Sequence, residues 1–188
     1  MQSRARFLSH SIHQIVIVFP LGLLFTSVVF DIIGLVSGAP QWSYIATYMI
    51  GAGLVGGIAA AVFGFVDYLA IPPHTRARRT GRIHGLASVC MVLLFGIGEW
   101  LRIGPVSQPT VAALAFSLAG VLVGGLAGWL GGELVTRMGI GVDDDAGLDA
   151  PGSFALRATV RRIAGQDSPT GTVGIPDGAT VSVASRPN

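Results

Sequence analysis

The side chains of this chain that can bind a metal or move a proton are four histidines, ten carboxylates and one cysteine. Two of the histidines, His10 and His13, stand three residues apart in LSHSIHQIVIVFP, residues 8–20, at the mouth of a long apolar run. His84 opens a third apolar run, and Asp67 and Glu133 sit near the ends of the second and fourth. Two imidazoles on opposite sides of a porphyrin make a bis-histidine haem site. Two or three imidazoles with one or two carboxylates suit zinc or non-haem iron. An imidazole beside a carboxylate relays protons, because its unperturbed pKa lies near neutrality. A fourth reading needs no cofactor: helix-end histidines bond to carboxylates, while Asp67 or Glu133 pairs with loop arginines.

These readings stay open at the level of residues, and haem b leads the functional ones. His13 and His84 are the expected ligands, with His10 as a substitute or outer neighbour. Asp67 and Glu133 would orient the imidazoles or hold a proton. Zinc or iron would draw on His10, His13, His84, Asp67 and Glu133 together. His74, between Pro73 and Thr75, reads as loop. The acidic run Asp143, Asp144 and Asp145 reads as solvated and lacks the spacing of a calcium loop. Cys90, the single cysteine, excludes an intrachain disulfide and any cysteine-rich cluster, and reads as an inert packing residue. No phosphate-binding Gly-Lys loop, nucleophile elbow, HExxH or dinucleotide fingerprint occurs.

The elements that must position these residues are membrane spans. Only 12% of the 188 residues are charged, against about 25% in a typical soluble domain, and the mean hydropathy is +0.66. A spanning helix needs about 20 mostly apolar residues. Four windows qualify, at 14–36, 44–69, 83–103 and 110–135, separated by SGAPQ, IPPHTRARRTGR and GPVSQP. The first has an apolar core longer than a signal peptide's, so it is expected to stay as a span. The predicted fold is an all-α, polytopic four-helix bundle over residues 1–142.

Charge placement orients the bundle. Arg4, Arg6, Arg76, Arg78, Arg79, Arg82 and Arg137 fall on one side of a four-span topology and only Arg102 on the other. The positive-inside rule then puts both termini and the middle loop in the cytoplasm of a bacterial inner membrane. The arginine-rich loop is explained by topology and lipid headgroups, not by nucleic acid.

The glycines predict how the spans pack. Gly120, Gly124, Gly128 and Gly132 form a four-residue row, echoed by Gly53, Gly57 and Ala61 and by Gly56, Ala60 and Gly64. Such seams let helix backbones approach closely in lipid. They serve one span against another, a homodimer, or a flat cofactor. Beyond residue 142 the tail, 143–188, has too few large apolar side chains for a core. It is expected to be mostly flexible, with a hairpin around Pro176-Asp177-Gly178.

The chain also reads as two copies of one hairpin about 70 residues apart, with VGGIA at 55–59 matching VGGLA at 123–127. A two-span unit repeated in one orientation implies a pseudo-twofold axis along the membrane normal. His13 and Asp31 are 18 residues apart, five helical turns, and so are His84 and Arg102. Each pair therefore shares a stripe. If both stripes face inward, Asp31 and Arg102 form a structural ion pair near the outer surface, with Glu99 beside it, and His13 approaches His84 near the inner one. Pro20 lacks the N–H that would bond the carbonyl of Val16, which predicts a kink in the first helix.

The ordered series HSIH leading into FP, Asp31, GFVDYL, His84, an arginine ending the third span, and GWLGGELVTRMGIGV resembles a bacterial four-span membrane family known as a domain of unknown function. The resemblance covers about residues 7–142. In that family the opening motif usually reads His-Pro-x-His-Pro, and here Ser11 and Gln14 stand at the proline positions. Some relatives continue into a Rieske-type iron–sulfur domain, which implies electron transfer or haem. The tail here has neither the cysteines nor the histidines for such a cluster, so electron transfer would need a redox partner protein. The resemblance implies no activity of its own. Two rivals to a redox role remain at this level: a structural or assembly protein without a cofactor, and a small transporter or proton relay.

Overall fold

The computed structural model describes residues 2–8, 10–102, 109–144, 146–150 and 152. The expected flexible tail and its hairpin around Pro176 fall almost wholly outside the described residues. A two-residue hairpin begins the chain: β1 (Arg6–Phe7) pairs antiparallel with β2 (His10–Ser11), with Arg6 opposite Ser11 and Phe7 opposite His10. A short helix, α1 (Ile12–Val16), leads into α2 (Val18–Ser37), followed by α3 (Gln41–Ala70), α4 (Arg76–Trp100) and α5 (Val111–Thr136). Each of the four long segments is long and apolar enough to cross a membrane.

Local chemistry explains the boundaries. The interruption at Ile17 falls one turn before Pro20, which cannot donate to the carbonyl of Val16. Gly38 ends α2 in the left-handed conformation, and Thr110 and Thr75 cap α5 and α4 by accepting from Ala113 and Arg78. The capped start of α4 lies seven residues before the apolar window expected from 83, because the arginine-rich turn is itself helical. Arg78 then locks the loop before it. Its Nη1 donates to the carbonyls of Tyr68 and Ile71 at 2.6 and 2.9 Å, and its guanidinium lies 4.0 Å above the Tyr68 ring. His74 is exposed, with φ +60°, in keeping with its reading as loop.

Helices α2 and α3 form one tight hairpin and α4 and α5 another; α3 with α4, and α2 with α5, join the two. Leu24, Val28, Ile50, Met91 and Phe95 are the centre of the core. The inward face of α3 runs Ser43, Ala46, Ile50, Gly53, Gly57, Ala60, and that of α5 runs Ala113, Ser117, Gly120, Gly124, Ala127, Leu134. Shifting the α3 series by 67 residues reproduces Ala113, Ser117, Gly120, Gly124 and Ala127. In the same way Pro20, Leu24 and Asp31 of α2 correspond, at a shift of 71, to the buried Met91, Phe95 and Arg102. The contacts correspond too: Gly53 packs on Leu24, and Gly120 packs on Phe95. The repeat is thus present in the packing, but in a different register: α3 and α5 correspond at a shift of 67, whereas VGGIA and VGGLA align at 68, one residue off the packed seam.

The glycine row runs differently from the expected four-residue stripe. Four residues turn a helix by about 400°, so each step drifts by about 40° and the row winds off the interface. Gly120 and Gly124 face Phe95 and Met91, but Gly128 and Gly132 are exposed, pack on no side chain and line the smaller of the cavities beside the histidines. The buried seam continues instead through Ala127 and Leu134, alternating steps of three and four. Ala61 leaves the α3 seam for the same reason. The glycines that remain in the seams pack on side chains of neighbouring helices within the chain. Cys90, expected to pack in the core, is exposed on the outer surface of α4.

Candidate functional site

His13, on α1, and His84, on α4, meet across the bundle with ring centroids 6.2 Å apart and ring planes 87° apart. Each is anchored the same way. The Nδ1 of His13 lies 2.8 Å from the carbonyl oxygen of Ala60, and the Nδ1 of His84 lies 2.8 Å from that of Ala127. A carbonyl only accepts, so both rings must carry their proton on Nδ1, which leaves each Nε2 with a free lone pair. A helical carbonyl points towards the residue four positions on, and here those residues are Gly64 and Gly131. A Cβ at Gly64 would stand 2.8 Å from Nδ1 and Cε1 of His13, and one at Gly131 would stand 3.2 Å from Cε1 of His84. The two glycines open the path from ring to carbonyl.

Two cavities flank the imidazoles. One, of about 340 Å³, is lined by His13, His84, Ser88 and Met91, with Asp67, Ser11 and Gln14 on its polar side. The other, of about 500 Å³, is lined by His13, Gly57, Ala60, Phe65, Ser88 and Met91 and is almost wholly apolar. They share His13, Ile17, Ser88 and Met91 and so adjoin each other at His13, while His84 lines the smaller one alone.

The other expected site residues are placed as follows. His10 is exposed, its Nδ1 2.8 Å from the carbonyl of Leu8, and it lines neither cavity. Asp67 lines the smaller cavity, but its carboxylate accepts from the N-terminal segment: Ser3 Oγ at 2.6 Å, the Arg4 and Ala5 amides at 2.9 and 3.0 Å, and Ser11 Oγ at 3.3 Å. Glu133 stands 3.6 Å from the exposed Arg76. Backbone carbonyls, not Asp67 or Glu133, therefore orient the two rings. Among the described residues no group of three or more histidine, cysteine or carboxylate side chains converges to hold a metal ion.

At the other end of the bundle, Arg102 and Asp31 are buried and pair bidentately, with Nη1 donating to Oδ1 at 2.7 Å and Nη2 donating to Oδ2. Glu99 lies 3.5 Å from Nε of Arg102, near enough for an ion pair but outside hydrogen-bond geometry. Sequence reasoning found both pairs of side chains. It missed the carbonyls of Ala60 and Ala127, which have no residue signature, and the donors on Asp67. The signal available for the anchors was the small residue four positions after each carbonyl, Gly64 and Gly131, related by the same 67-residue shift.

Residues 9–144 match the model of a family described as a predicted membrane protein (DUF2231). No curated protein and no solved structure matches the chain.

Proposed function

The chain belongs to the DUF2231 family of predicted membrane proteins, and from the geometry of its histidines we propose that it is a redox-associated membrane protein that holds haem b between His13 and His84. The observation that carries this reading is the 6.2 Å separation of two rings whose Nδ1 atoms are both tied to carbonyls. Two metal–imidazole bonds of about 2 Å, with half a ring added at each end, span about 6 Å between ring centroids. Two imidazoles holding one haem would rotate independently about their own bonds, so the 87° between the planes of His13 and His84 is compatible with their holding it. A hydrogen bond from the distal ring nitrogen is also what fixes the tautomer and raises the basicity of metal-bound histidine.

Haem is favoured over zinc or non-haem iron because it needs only two protein ligands, and only two histidines meet here. The chain's own contribution would be to fix both rings, exclude water with Ile17, Met91 and Gly57, and present apolar surface on both sides of the histidine axis. Bound haem would supply one-electron transfer, with a separate protein or small molecule as its redox partner.

Orientation follows from the same layout. Arg102, the one arginine at the other end, is buried and paired with Asp31, and seven arginines against one favour the histidine end as the inner one. We infer an inner-membrane location in a bacterium, with the N-terminus and the end of α5 in the cytoplasm.

One observation favours the rival reading, a structural protein without a cofactor: each imidazole already has a backbone partner and a ring neighbour. Haem and total metal content of the detergent-purified protein separate the two. The haem reading expects about one haem per chain from haem-replete cells, lost in both His13→Ala and His84→Ala and kept in His10→Ala. Stoichiometric zinc would favour the metal alternative. No cofactor, with both alanine variants merely less stable, would favour the structural protein.

A further inference from the structure

We propose that the N-terminal segment is a strap across the helix-end mouth of the imidazole cavity, and that Asp67 is its clasp. This rests on the cavity described above and assigns control of access to it, whatever the occupant. Ser11 and Gln14 come from the start of the domain, Ile140 and Gly141 from its end, and all four line the cavity that holds His13 and His84. The mouth is therefore built by chain that lies outside the long helices.

Asp67 belongs to α3, three residues beyond Gly64, and its carboxylate gathers four donors from this segment. Ser3 Oγ and the amides of Arg4 and Ala5 converge on Oδ1, while Ser11 Oγ donates to Oδ2. Consecutive amides facing one carboxylate oxygen order a backbone that is also held by the two-residue ladder, Arg6–Phe7 with His10–Ser11, and by the Ile12 amide donating to the carbonyl of Ala5. The second side of the mouth is joined to the first. Arg6 pairs with Asp143, and Gly141, at φ +79°, lies so close to Gln14 that a Cβ there would stand 2.6 Å from Nε2. The left-handed glycines Gly139 and Gly141 turn the chain back over the cavity after α5, with the Gly139 amide bonded to the carbonyl of Val135.

Such a short segment, four of whose donors meet on one carboxylate, has the profile of a unit that opens locally without unfolding the bundle. Ser3 and Ser11, both donors to Asp67, are themselves buried.

The test is water access to the cavity in the full-length protein in native membranes. In a Cys90→Ser background, Ser88→Cys places a single thiol on the cavity wall, and a water-soluble maleimide reads its exposure. Leu148→Cys, fully exposed, sets the ceiling rate. The strap predicts slow labelling of the cavity thiol, rising on the order of tenfold or more in Asp67→Asn as the open state gains population. Deletion of residues 2–7, which leaves α3 intact, should raise it as far, and it decides the matter if Asp67→Asn fails to fold. Equal rates with and without the strap, or a parent rate already at the ceiling, would overturn the proposal. A rate that changes between haem-replete and haem-depleted cells, but not with Asp67 or the deletion, would overturn the strap and leave the cofactor reading standing. A rise with Asp67→Asn in protein that carries no haem would support the strap and count against the cofactor.

Discussion

Asp31 and Arg102 occupy equivalent positions of the two repeated hairpins, 71 residues apart, yet carry opposite charges and bind each other bidentately. His13 and His84 are related by the same shift and also meet. When symmetry equivalents touch, the axis relating them passes between them. The pseudo-twofold axis of the bundle therefore runs through both pairs. They lie 18 residues apart along their helices, about 27 Å at 1.5 Å per residue, close to the thickness of the hydrocarbon core. One axial pair therefore stands towards each end of the bundle. The histidine pair is symmetric, two imidazoles. The charged pair is not, because two like charges in contact would repel.

Removing one member of the Asp31–Arg102 pair should be costly. A buried charge stripped of its partner costs about 3–5 kcal/mol, so Asp31→Ala and Arg102→Ala should each lower the thermal midpoint in detergent sharply. The charge-swapped double variant, Asp31→Arg with Arg102→Asp, should recover only part of that loss. Its new carboxylate would stand where Glu99 now faces Arg102, and Val28, the equivalent of Glu99, offers no counterpart. Full recovery would show that Glu99 does not contribute.

The two anchoring glycines should differ in sensitivity. A methyl at Gly64 meets the His13 ring at 2.8 Å, whereas one at Gly131 meets His84 at 3.2 Å. Gly64→Ala must move the ring off the Ala60 carbonyl, while Gly131→Ala asks for a shift of a few tenths of an ångström. Cofactor content per chain should fall much further in Gly64→Ala than in Gly131→Ala. The reverse order would mean that the rings are not held as described.

Alanine substitutions along α5 should separate the true seam from the four-residue row. Gly120→Ala and Gly124→Ala push a methyl to 2.7 Å from Phe95 and 2.6 Å from Met91, and overpacking of that kind costs about 1–3 kcal/mol. Gly128→Ala and Gly132→Ala meet nothing and should stay within about 0.5 kcal/mol. Thermal unfolding of the four variants checks this directly.

The long elements were legible because lipid makes them so: an apolar window of span length admits little but a helix. The four expected windows lie on α2 to α5, and the break at Ile17 follows from Pro20. The two axial pairs were legible from the 18-residue spacing together with the rule that charged groups in a span face inward. Asp67 and Glu133 do not orient the imidazoles; Glu133 instead pairs with Arg76, as the cofactor-free reading had it, and the donors on Asp67 were missed for a different reason. Their partners, the amides of Arg4 and Ala5 and the side chains of Ser3 and Arg76, sit in short or exposed segments where no hydrophobic period says which way the chain folds. The carbonyls of Ala60 and Ala127 are backbone atoms, present at every residue, and only the bundle's geometry singles them out. The glycine row misled because four-residue spacing is nearly, but not quite, the period of a helix.

The measurement that tests the central claim most directly is the visible absorption spectrum of the detergent-purified protein from haem-replete cells, first air-oxidised and then reduced with dithionite. A haem held by His13 and His84 predicts a Soret band that shifts on reduction, with α and β bands appearing, and all of them absent in His13→Ala and His84→Ala. A colourless protein, or a spectrum unchanged by both substitutions, would contradict the account.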